Sequence, residues 1–251
     1  MRILAAAALA LVVPTALVAQ STPQSPAGQV AEAGAHARLA DALASPAVRK
    51  AALEAVIRDV RTVMLNDPAI IVLEKECDGL VDRLVENARP MLTEYEEVES
   101  AVTRTEMIAL FRDMLTEGEA GQLADFYESA NGQKLIATIN ANLNFEQTIA
   151  GSISNDSEDR VVVEQKDFEA DTRRAIAGSL RTLSSEEIQE IGLQFAAVPA
   201  FARMLEVNPK LSALRVDIAN RDLIPGFDER INALVQSTVE SHMASCDASG
   251  E

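Results

Sequence analysis

The sequence predicts an all-α protein, a multi-helix bundle, from its composition and from two kinds of local pattern. The 251-residue chain is 48% hydrophobic but only 4% aromatic, without tryptophan, and it is rich in the good helix formers alanine, leucine and glutamate. Apolar residues recur at three- and four-residue spacing along most of its length, which places them on one face of a helix. Helix-start signals precede several of these stretches.

The first 34 residues precede the predicted fold. Arg2, followed by an unbroken apolar run over 3–13, predicts a secretory signal peptide over residues 1–19 that is cleaved after Ala19. The run is shorter than the roughly 20 residues of a membrane helix, so we expect no stable membrane span after cleavage. Residues 20–34 are rich in Ser, Pro, Gly and Gln and are expected to form a flexible leader. The mature chain is therefore expected to be periplasmic or secreted.

From residue 35 the pattern predicts helices that are separated by prolines. Pro46 and Pro68 each follow a capping residue, which predicts that they lie in the first turns of two successive helices. The second of these carries an apolar stripe that includes Cys77, and it is expected to end before Pro90 because proline disrupts a helix interior. A long helix should then extend over residues 91–115.

A capped helical hairpin is predicted near the middle of the chain. Thr116 and Glu119 form a capping box, in which each side chain satisfies a backbone N–H at the helix start. The helix that follows should end at Asn131 and Gly132, since these residue types tolerate positive φ. A second amphipathic helix should then continue to Leu143.

The hairpin contains the run Phe-Tyr-Glu-Ser-Ala-Asn-Gly-Gln-Lys, which resembles the motif Phe-Tyr-x-Ser-Pro-x-Gly-Gln-Lys of the exported bacterial family called domain of unknown function 2059. The matching residues are Phe126, Tyr127, Ser129, Gly132, Gln133 and Lys134. The chain departs from the family at Ala130, where proline is usual. The resemblance implies an all-helical exported domain, and it brings no assigned activity, cofactor or catalytic residue.

The motif residues have two interpretations. In the first, Phe126 and Tyr127 fill the core, with a polar partner for the tyrosine hydroxyl, while Gly132 meets the needs of a turn and Gln133 and Lys134 decorate the second helix. In the second, Tyr127, Gln133 and Lys134 line a cleft between the hairpin and its neighbours.

A polar run without apolar residues predicts a linker over residues 154–160. It separates a first helical unit, 35–153, which contains the motif, from a second helical unit, 161–246. Residues 247–251 should form a disordered tail. We expect the two units to pack as one domain.

The second unit repeats a feature of the first. Ser184 and Glu187 form another capping box, 68 residues after the one at Thr116 and Glu119. This offset suggests a duplicated helical unit. The alternative is that capped amphipathic helices resemble one another for physical reasons alone.

Two prolines divide the end of the chain. Pro209 and Pro225 are expected to bound a short helix at 211–219, and a final helix should start near Phe227. Cys246 extends the apolar stripe of that final helix.

The chain has two cysteines, and each extends a predicted buried face. Because the signal peptide directs the chain to an oxidising compartment, the sequence predicts a Cys77–Cys246 disulfide. Free buried thiols and an intermolecular bridge are the alternatives. The intramolecular bridge would hold the last helix against the front of the fold.

His242 and Cys246 are four residues apart, so both can lie on one helix face. That spacing could present an imidazole and a thiolate to a metal, or form a nucleophile–base pair. Two ligands do not make a site, however, and His36, expected in or near the leader, is the only other histidine. The favoured interpretation is a histidine beside a structural cystine, without cofactor or metal.

The acidic residues are interpreted as solvated surface. Those on one predicted helix are Glu94, Glu96, Glu97 and Glu99, and those in the predicted linker are Asp156, Glu158 and Asp159. Neither run has the spacing of a calcium loop. The net charge of −17 argues against nucleic acid and anionic lipid as partners, and favours a basic partner or divalent cations if it has a binding role.

Three function classes remain, and the sequence contains none of the common catalytic motifs. The leading hypothesis is a non-catalytic binding protein that interacts with another envelope protein. The alternative is a carrier of a small molecule or lipid, with an apolar cavity between helices. An enzyme is the third class, although no pair of catalytic residues stands out.

Overall fold

The computed structural model describes residues 34–154 and 162–247. These residues form eleven α-helices and no strand, which confirms the predicted all-α fold class. The predicted signal peptide, and nearly all of the predicted leader, linker and tail, lie outside the described residues. The helices are α1 Ala35–Leu43, α2 Pro46–Leu65, α3 Pro68–Glu76, α4 Leu80–Met114, α5 Glu117–Glu128, α6 Ala130–Ala141, α7 Glu146–Ser154, α8 Gln165–Thr182, α9 Ser185–Ala197, α10 Phe201–Ala219 and α11 Phe227–Asp247.

The predicted helix starts are present, because local side-chain chemistry determines them. The hydroxyl of Ser45 caps α2, and the carboxylate of Asp67 accepts hydrogen bonds from the first turn of α3. Complete capping boxes open α5 at Thr116 and α9 at Ser184.

Two predicted helix boundaries, an end before Pro90 and a start after Pro209, are wrong because each proline lies inside a helix. Helix α4 continues for 35 residues through Pro90, and α10 continues through Pro209. Leu84 and Leu92, which lie on either side of Pro90, are both buried in the same hydrophobic cluster. Packing on both sides of each proline therefore compensates for the lost backbone hydrogen bond.

The predicted stripe through Cys77 is also interrupted. Helix α3 ends at Glu76, Cys77 is its C-cap residue, and Gly79 adopts a left-handed conformation with φ of 86° before α4 begins. Glycine accepts this backbone conformation without a steric penalty. Cys77 therefore lies in the α3–α4 connection.

The described residues form two hydrophobic clusters, which α4 joins. The α11 cluster packs α2, α3, the first part of α4, α8 and α11 around residues such as Leu84 and Ile231. The hairpin cluster packs α1, the last part of α4, α5, α6, α9 and α10 around residues such as Phe111 and Tyr127. Helix α4, about 52 Å long at 1.5 Å per residue, spans both. Each cluster draws on both predicted units, and the proposed duplication stays a prediction.

A buried polar layer lies between the clusters on α4. Glu99 and Thr103 are 4% and 9% exposed, and Arg215 of α10, which faces them, is 3% exposed. Glu99 was expected on a solvated face, and this expectation is wrong because α10 covers that side of α4. Burial raises the pKa of Glu99 well above its usual value, and the positive charge of Arg215 opposes this shift.

The predicted disulfide is present. Cys77 and Cys246 are bonded, with their Cα atoms 5.8 Å apart, a separation within the usual range for a disulfide. The bond joins the last turn of α11 to the α3–α4 connection. Among the described residues, no helix is both long and apolar enough to cross a bilayer.

Candidate functional site

The turn of the hairpin differs from the prediction. Helix α5 ends at Glu128, and Ser129 serves both as the C-cap of α5 and as the N-cap of α6. The Ser129 hydroxyl accepts a hydrogen bond from the Gly132 amide, so Asn131 and Gly132 lie in the first turn of α6. Ala130 occupies the first helical position, where proline is also favourable, and the departure from the family motif leaves the turn intact.

Gly132 is needed for a close approach between the two helices. A Cβ atom at this position would lie 2.1 Å from the carbonyl oxygen of Phe126 and 2.7 Å from the Cα of Tyr127. Both are backbone atoms that cannot move aside. Gln133 completes the junction by donating a hydrogen bond to the Tyr127 carbonyl at 2.7 Å. This part of the motif is therefore explained by helix packing.

The aromatic residues of the motif fill the hairpin cluster. Phe126 packs edge-on against Tyr127, Phe195 and Phe201, with ring centroids 5.0–5.1 Å apart. Tyr127 is fully buried, and its hydroxyl has no hydrogen-bond partner among the described residues, so the expectation of a polar partner is wrong. Burial accordingly raises the pKa of Tyr127.

Tyr127→Phe should stabilise the fold by about 1 kcal/mol, because it removes a buried hydroxyl that has no partner. Tyr95→Phe is the matched control, since the Tyr95 hydroxyl is not among the unpartnered buried atoms. Urea unfolding of the two variants and the parent protein measures the difference. A clear loss of stability in Tyr127→Phe would show that the hydroxyl has a partner after all.

Lys134 and Glu187 connect the hairpin to the second capping box. The Lys134 ammonium pairs with the Glu187 carboxylate, which also accepts a hydrogen bond from the Ser184 amide at 2.8 Å. The contact with Lys134 makes the largest contribution to lowering the pKa of Glu187, and the hydrogen bonds with Ser184 lower it further, to about 2. Tyr127, Gln133 and Lys134 thus each make structural contacts, and none of them lines the cleft described next.

A cleft of about 1010 Å³ lies elsewhere, between the end of α2, the start of α3, the α6–α7 turn and one side of α8. Its polar lining combines amides, two guanidinium groups and three carboxylates: Asn66, Asn142, Asn144, Gln147, Arg174, Arg181, Asp67, Glu146 and Asp167. Amides can both donate and accept hydrogen bonds, and guanidinium groups bind carboxylates in a fixed geometry. The cleft therefore suits a ligand with several hydrogen-bonding groups.

The two arginines of the cleft differ in their partners. Arg174 is held by Asp171 at 2.7 Å and by Asn144 at 3.4 Å. Arg181 is exposed and forms no ion pair with any residue that the structure describes. Arg181 is consequently the guanidinium of the cleft that is available to an anionic group.

Buried carboxylates fix the backbone of the α6–α7 turn. Asp59 of α2 accepts a hydrogen bond from the Phe145 amide at 2.6 Å, and Asp171 of α8 accepts one from the Thr148 amide at 2.8 Å. Burial raises the pKa of Asp171, and the hydrogen bond from Thr148 opposes that shift. The turn is held from both sides, so this wall of the cleft is preorganised.

Three exposed apolar side chains lie close in the chain to residues that line the cleft. Asn66, Asp67 and Pro68 line the cleft, and the exposed side chains of Leu65, Ile71 and Val72 lie next to them in the chain. Val72 is 53% exposed, and α3 fully buries only Ile70. We call Leu65, Ile71 and Val72 the α3 patch.

Two glycines shape the cleft, and they are the sequence signal that could have indicated it. A Cβ on Gly151 would lie 2.3 Å from the Asp167 carboxylate, and a Cβ on Gly178 would lie 2.6 Å from the Asn142 amide oxygen. Glycine inside a helical pattern often marks such a close approach. Local patterns could not reveal that α2, α6, α7 and α8 meet here.

The two histidines are both buried. His36, expected in or near the leader, lies in α1, where Nε2 donates to the Leu115 carbonyl at 2.9 Å and Nδ1 lies 2.8 Å from the Glu117 carboxylate. His242 lies beside the cystine, with its Nε2 at 3.1 Å from the Asp78 carbonyl. This agrees with the favoured interpretation of a histidine next to a structural cystine.

Residues 104–148 match the model of a family described as "Uncharacterized protein conserved in bacteria (DUF2059)". The match confirms the resemblance predicted from the motif, and it extends from the second half of α4 through the hairpin into α7. It includes the α6–α7 turn, which contributes one wall of the cleft. No curated protein and no solved structure matches the chain.

Proposed function

We propose that the chain is an exported, non-catalytic binding protein whose cleft and α3 patch together hold a segment of another envelope protein. The observation that supports this function most directly is the cleft of about 1010 Å³ beside exposed apolar side chains. An apolar surface next to convergent polar groups is typical of protein recognition sites.

The two surfaces favour an amphiphilic peptide segment. Its apolar side chains would pack on Val72 and Ile71, while a carboxylate, either a side chain or a chain terminus, would pair with Arg181. The amides of the cleft would bind the backbone of the segment. Because buried hydrogen bonds anchor the α6–α7 turn, binding would order few additional residues on this side.

Export and a non-catalytic role have separate support. The cystine is the form that cysteines take in oxidising compartments, and the sequence predicts a signal peptide. The non-catalytic role rests on the sequence, which contains none of the common catalytic motifs.

The carrier hypothesis is favoured less by this cleft. A lipid chain requires a cavity with apolar walls throughout, whereas this cleft also presents amides, carboxylates and guanidinium groups. A small polar molecule could use the same groups, but it would leave the α3 patch uncovered.

Site-specific photo-crosslinking in intact cells tests the proposal. A benzophenone amino acid placed at Val72 should capture one defined protein, whereas the same amino acid at Leu205 should not, although Leu205 of α10 is 64% exposed. Native mass spectrometry of the periplasmic protein distinguishes the carrier, because a small co-purifying mass would indicate a bound metabolite.

A charge-reversing substitution tests whether the cleft contributes to binding of the captured protein. Arg181→Glu should reduce capture at position 72 by about tenfold, or about 1.4 kcal/mol of binding free energy. The control is Arg112→Glu, which reverses an exposed arginine of α4 outside the cleft and should leave capture unchanged. The proposed site would be rejected if Arg181→Glu and Arg112→Glu gave equal capture from position 72. It would also be rejected if the photo-crosslinker captured the same amount of protein from positions 72 and 205.

A further inference from the structure

Three potential metal ligands converge where α11 meets the α3–α4 connection. The sulfur atoms of Cys77 and Cys246 and an imidazole nitrogen of His242 lie within 4.8 Å of one another. Cys77 and His242 are buried, and Cys246 is half-buried. Two sulfurs and one imidazole form a ligand set that binds zinc in proteins.

The imidazole of His242 is oriented as a ligand would be. Its Nε2–H donates to the backbone carbonyls of Asp78 and Cys77, at 3.1 and 3.3 Å. These bonds fix the tautomer and leave the lone pair on Nδ1. Metal-binding histidines usually donate their second ring nitrogen to a carbonyl or carboxylate in this manner.

The Nδ1 atom has no role in the oxidised protein. It is buried without a hydrogen-bond partner among the described residues, and His242 as a whole is only 6% exposed. An unpartnered buried nitrogen is unfavourable unless something binds it. In the cystine form the two sulfurs are bonded to each other and are not thiolates. They therefore do not form a thiolate metal site with Nδ1.

We infer that reduction of the Cys77–Cys246 disulfide converts this cluster into a zinc site, in which both thiolates and Nδ1 of His242 bind the ion and water takes the fourth position. Two thiolates bound to tetrahedral zinc, with bonds of about 2.3 Å, are separated by about 3.8 Å. Side-chain rotation can provide that separation, because the Cα atoms are already 5.8 Å apart.

The redox step requires a dithiol as reductant. Its thiolate attacks the half-buried sulfur of Cys246, which forms a mixed disulfide and releases the Cys77 thiolate. The second thiol of the reductant then releases Cys246. The cystine gains two electrons and two protons while the dithiol becomes a disulfide, and zinc binding subsequently displaces both thiol protons.

Metal analysis of the oxidised and reduced protein tests the inference. The mature chain is reduced with dithiothreitol, desalted without oxygen, mixed with Zn²⁺ and desalted again. The reduced protein should retain about one zinc ion per chain and the oxidised protein none. Cobalt in place of zinc should give the visible absorption of a tetrahedral thiolate site.

A matched pair of variants assigns the nitrogen ligand. His242→Gln keeps an N–H donor for the Asp78 and Cys77 carbonyls but removes the imidazole lone pair, and it should weaken zinc binding by at least about 100-fold. His36→Gln changes the chain's other buried histidine and should leave zinc affinity unchanged.

If reduction partly unfolds the protein, circular dichroism can still show whether zinc binds the folded state. Zinc that binds the folded state should restore helical signal to reduced protein that has partly unfolded. The inference is overturned if reduced helical protein retains no zinc, if zinc fails to restore helix to unfolded reduced protein, or if His242→Gln binds zinc as tightly as the parent.

Discussion

Gly132→Ala should lower the free energy of unfolding by about 3 kcal/mol, a large loss for adding one methyl group. The new Cβ would meet the carbonyl oxygen of Phe126 at 2.1 Å and the Cα of Tyr127 at 2.7 Å. Because these are backbone atoms of α5, the two helices would have to separate. Such a movement would disturb the packing of Phe126 and Tyr127 in the hairpin cluster.

Gly118→Ala is the matched control for this substitution. Gly118 lies in α5 of the same hairpin and is exposed, and nothing lies within 4 Å of its Cβ position. Alanine should therefore be neutral or stabilising there, by up to about 1 kcal/mol. Urea unfolding of both variants gives the comparison, and equal stabilities would contradict the close approach of α5 and α6.

Arg215→Met should destabilise the protein by about 3–5 kcal/mol at pH 8, because it leaves the buried Glu99 without its compensating charge. Burial lowers the pKa of Arg215 itself to about 10, so the guanidinium remains charged at pH 8. The variant measures the cost of an uncompensated carboxylate in the polar layer between the two hydrophobic clusters.

The effect of Arg215→Met should grow with pH. Burial already raises the pKa of Glu99, and loss of Arg215 raises it further. A carboxyl whose pKa is higher in the folded than in the unfolded state stabilises the fold fully at pH values below its unfolded-state pKa, which is about 4.3 for glutamate. This contribution to the free energy of unfolding is lost as the pH rises through the folded-state pKa. The destabilisation should therefore be smaller at pH 5 than at pH 8.

Two further variants complete this experiment. Adding Glu99→Gln to Arg215→Met removes both charges and should recover most of the lost stability. Arg230→Met breaks the exposed pair between Arg230 and Glu94, also on α4, and should have only the small effect typical of surface pairs. If Arg215→Met and Arg230→Met were equally stable at both pH values, the buried layer would have no electrostatic role.

The parts of the fold that local chemistry controls could be predicted from the sequence. The capping boxes at Thr116 and Ser184 require residues within one helical turn, and both are present. The disulfide followed from two cysteines on predicted apolar faces and an expected oxidising compartment, although Cys77 itself lies outside a helix.

Tertiary contacts decided the features that were predicted wrongly. Pro90 and Pro209 carry a strong local signal for helix termination, but packing on both sides keeps their helices continuous. Gly132 resembles a turn residue locally, yet its role is contact with the preceding helix. Glu99 resembled a surface residue because nothing near it in sequence reveals α10.

The candidate site was the least predictable feature. Its residues come from three separate stretches of the chain, within 62–68, 142–151 and 167–181, whereas the family motif lies in the α5–α6 hairpin outside them. Only Gly151 and Gly178, at which helices approach polar side chains, gave a local indication of the cleft.

Peptide mapping of unreduced protein from the cell envelope tests the central structural claim, that one oxidised helical body brings the end of α11 to the α3–α4 connection. We expect a single disulfide-linked pair of peptides containing Cys77 and Cys246, and no thiol that reacts with Ellman's reagent after denaturation. Two reactive thiols per chain, or a bridge to another protein, would contradict both the connection between these elements and the oxidised resting state.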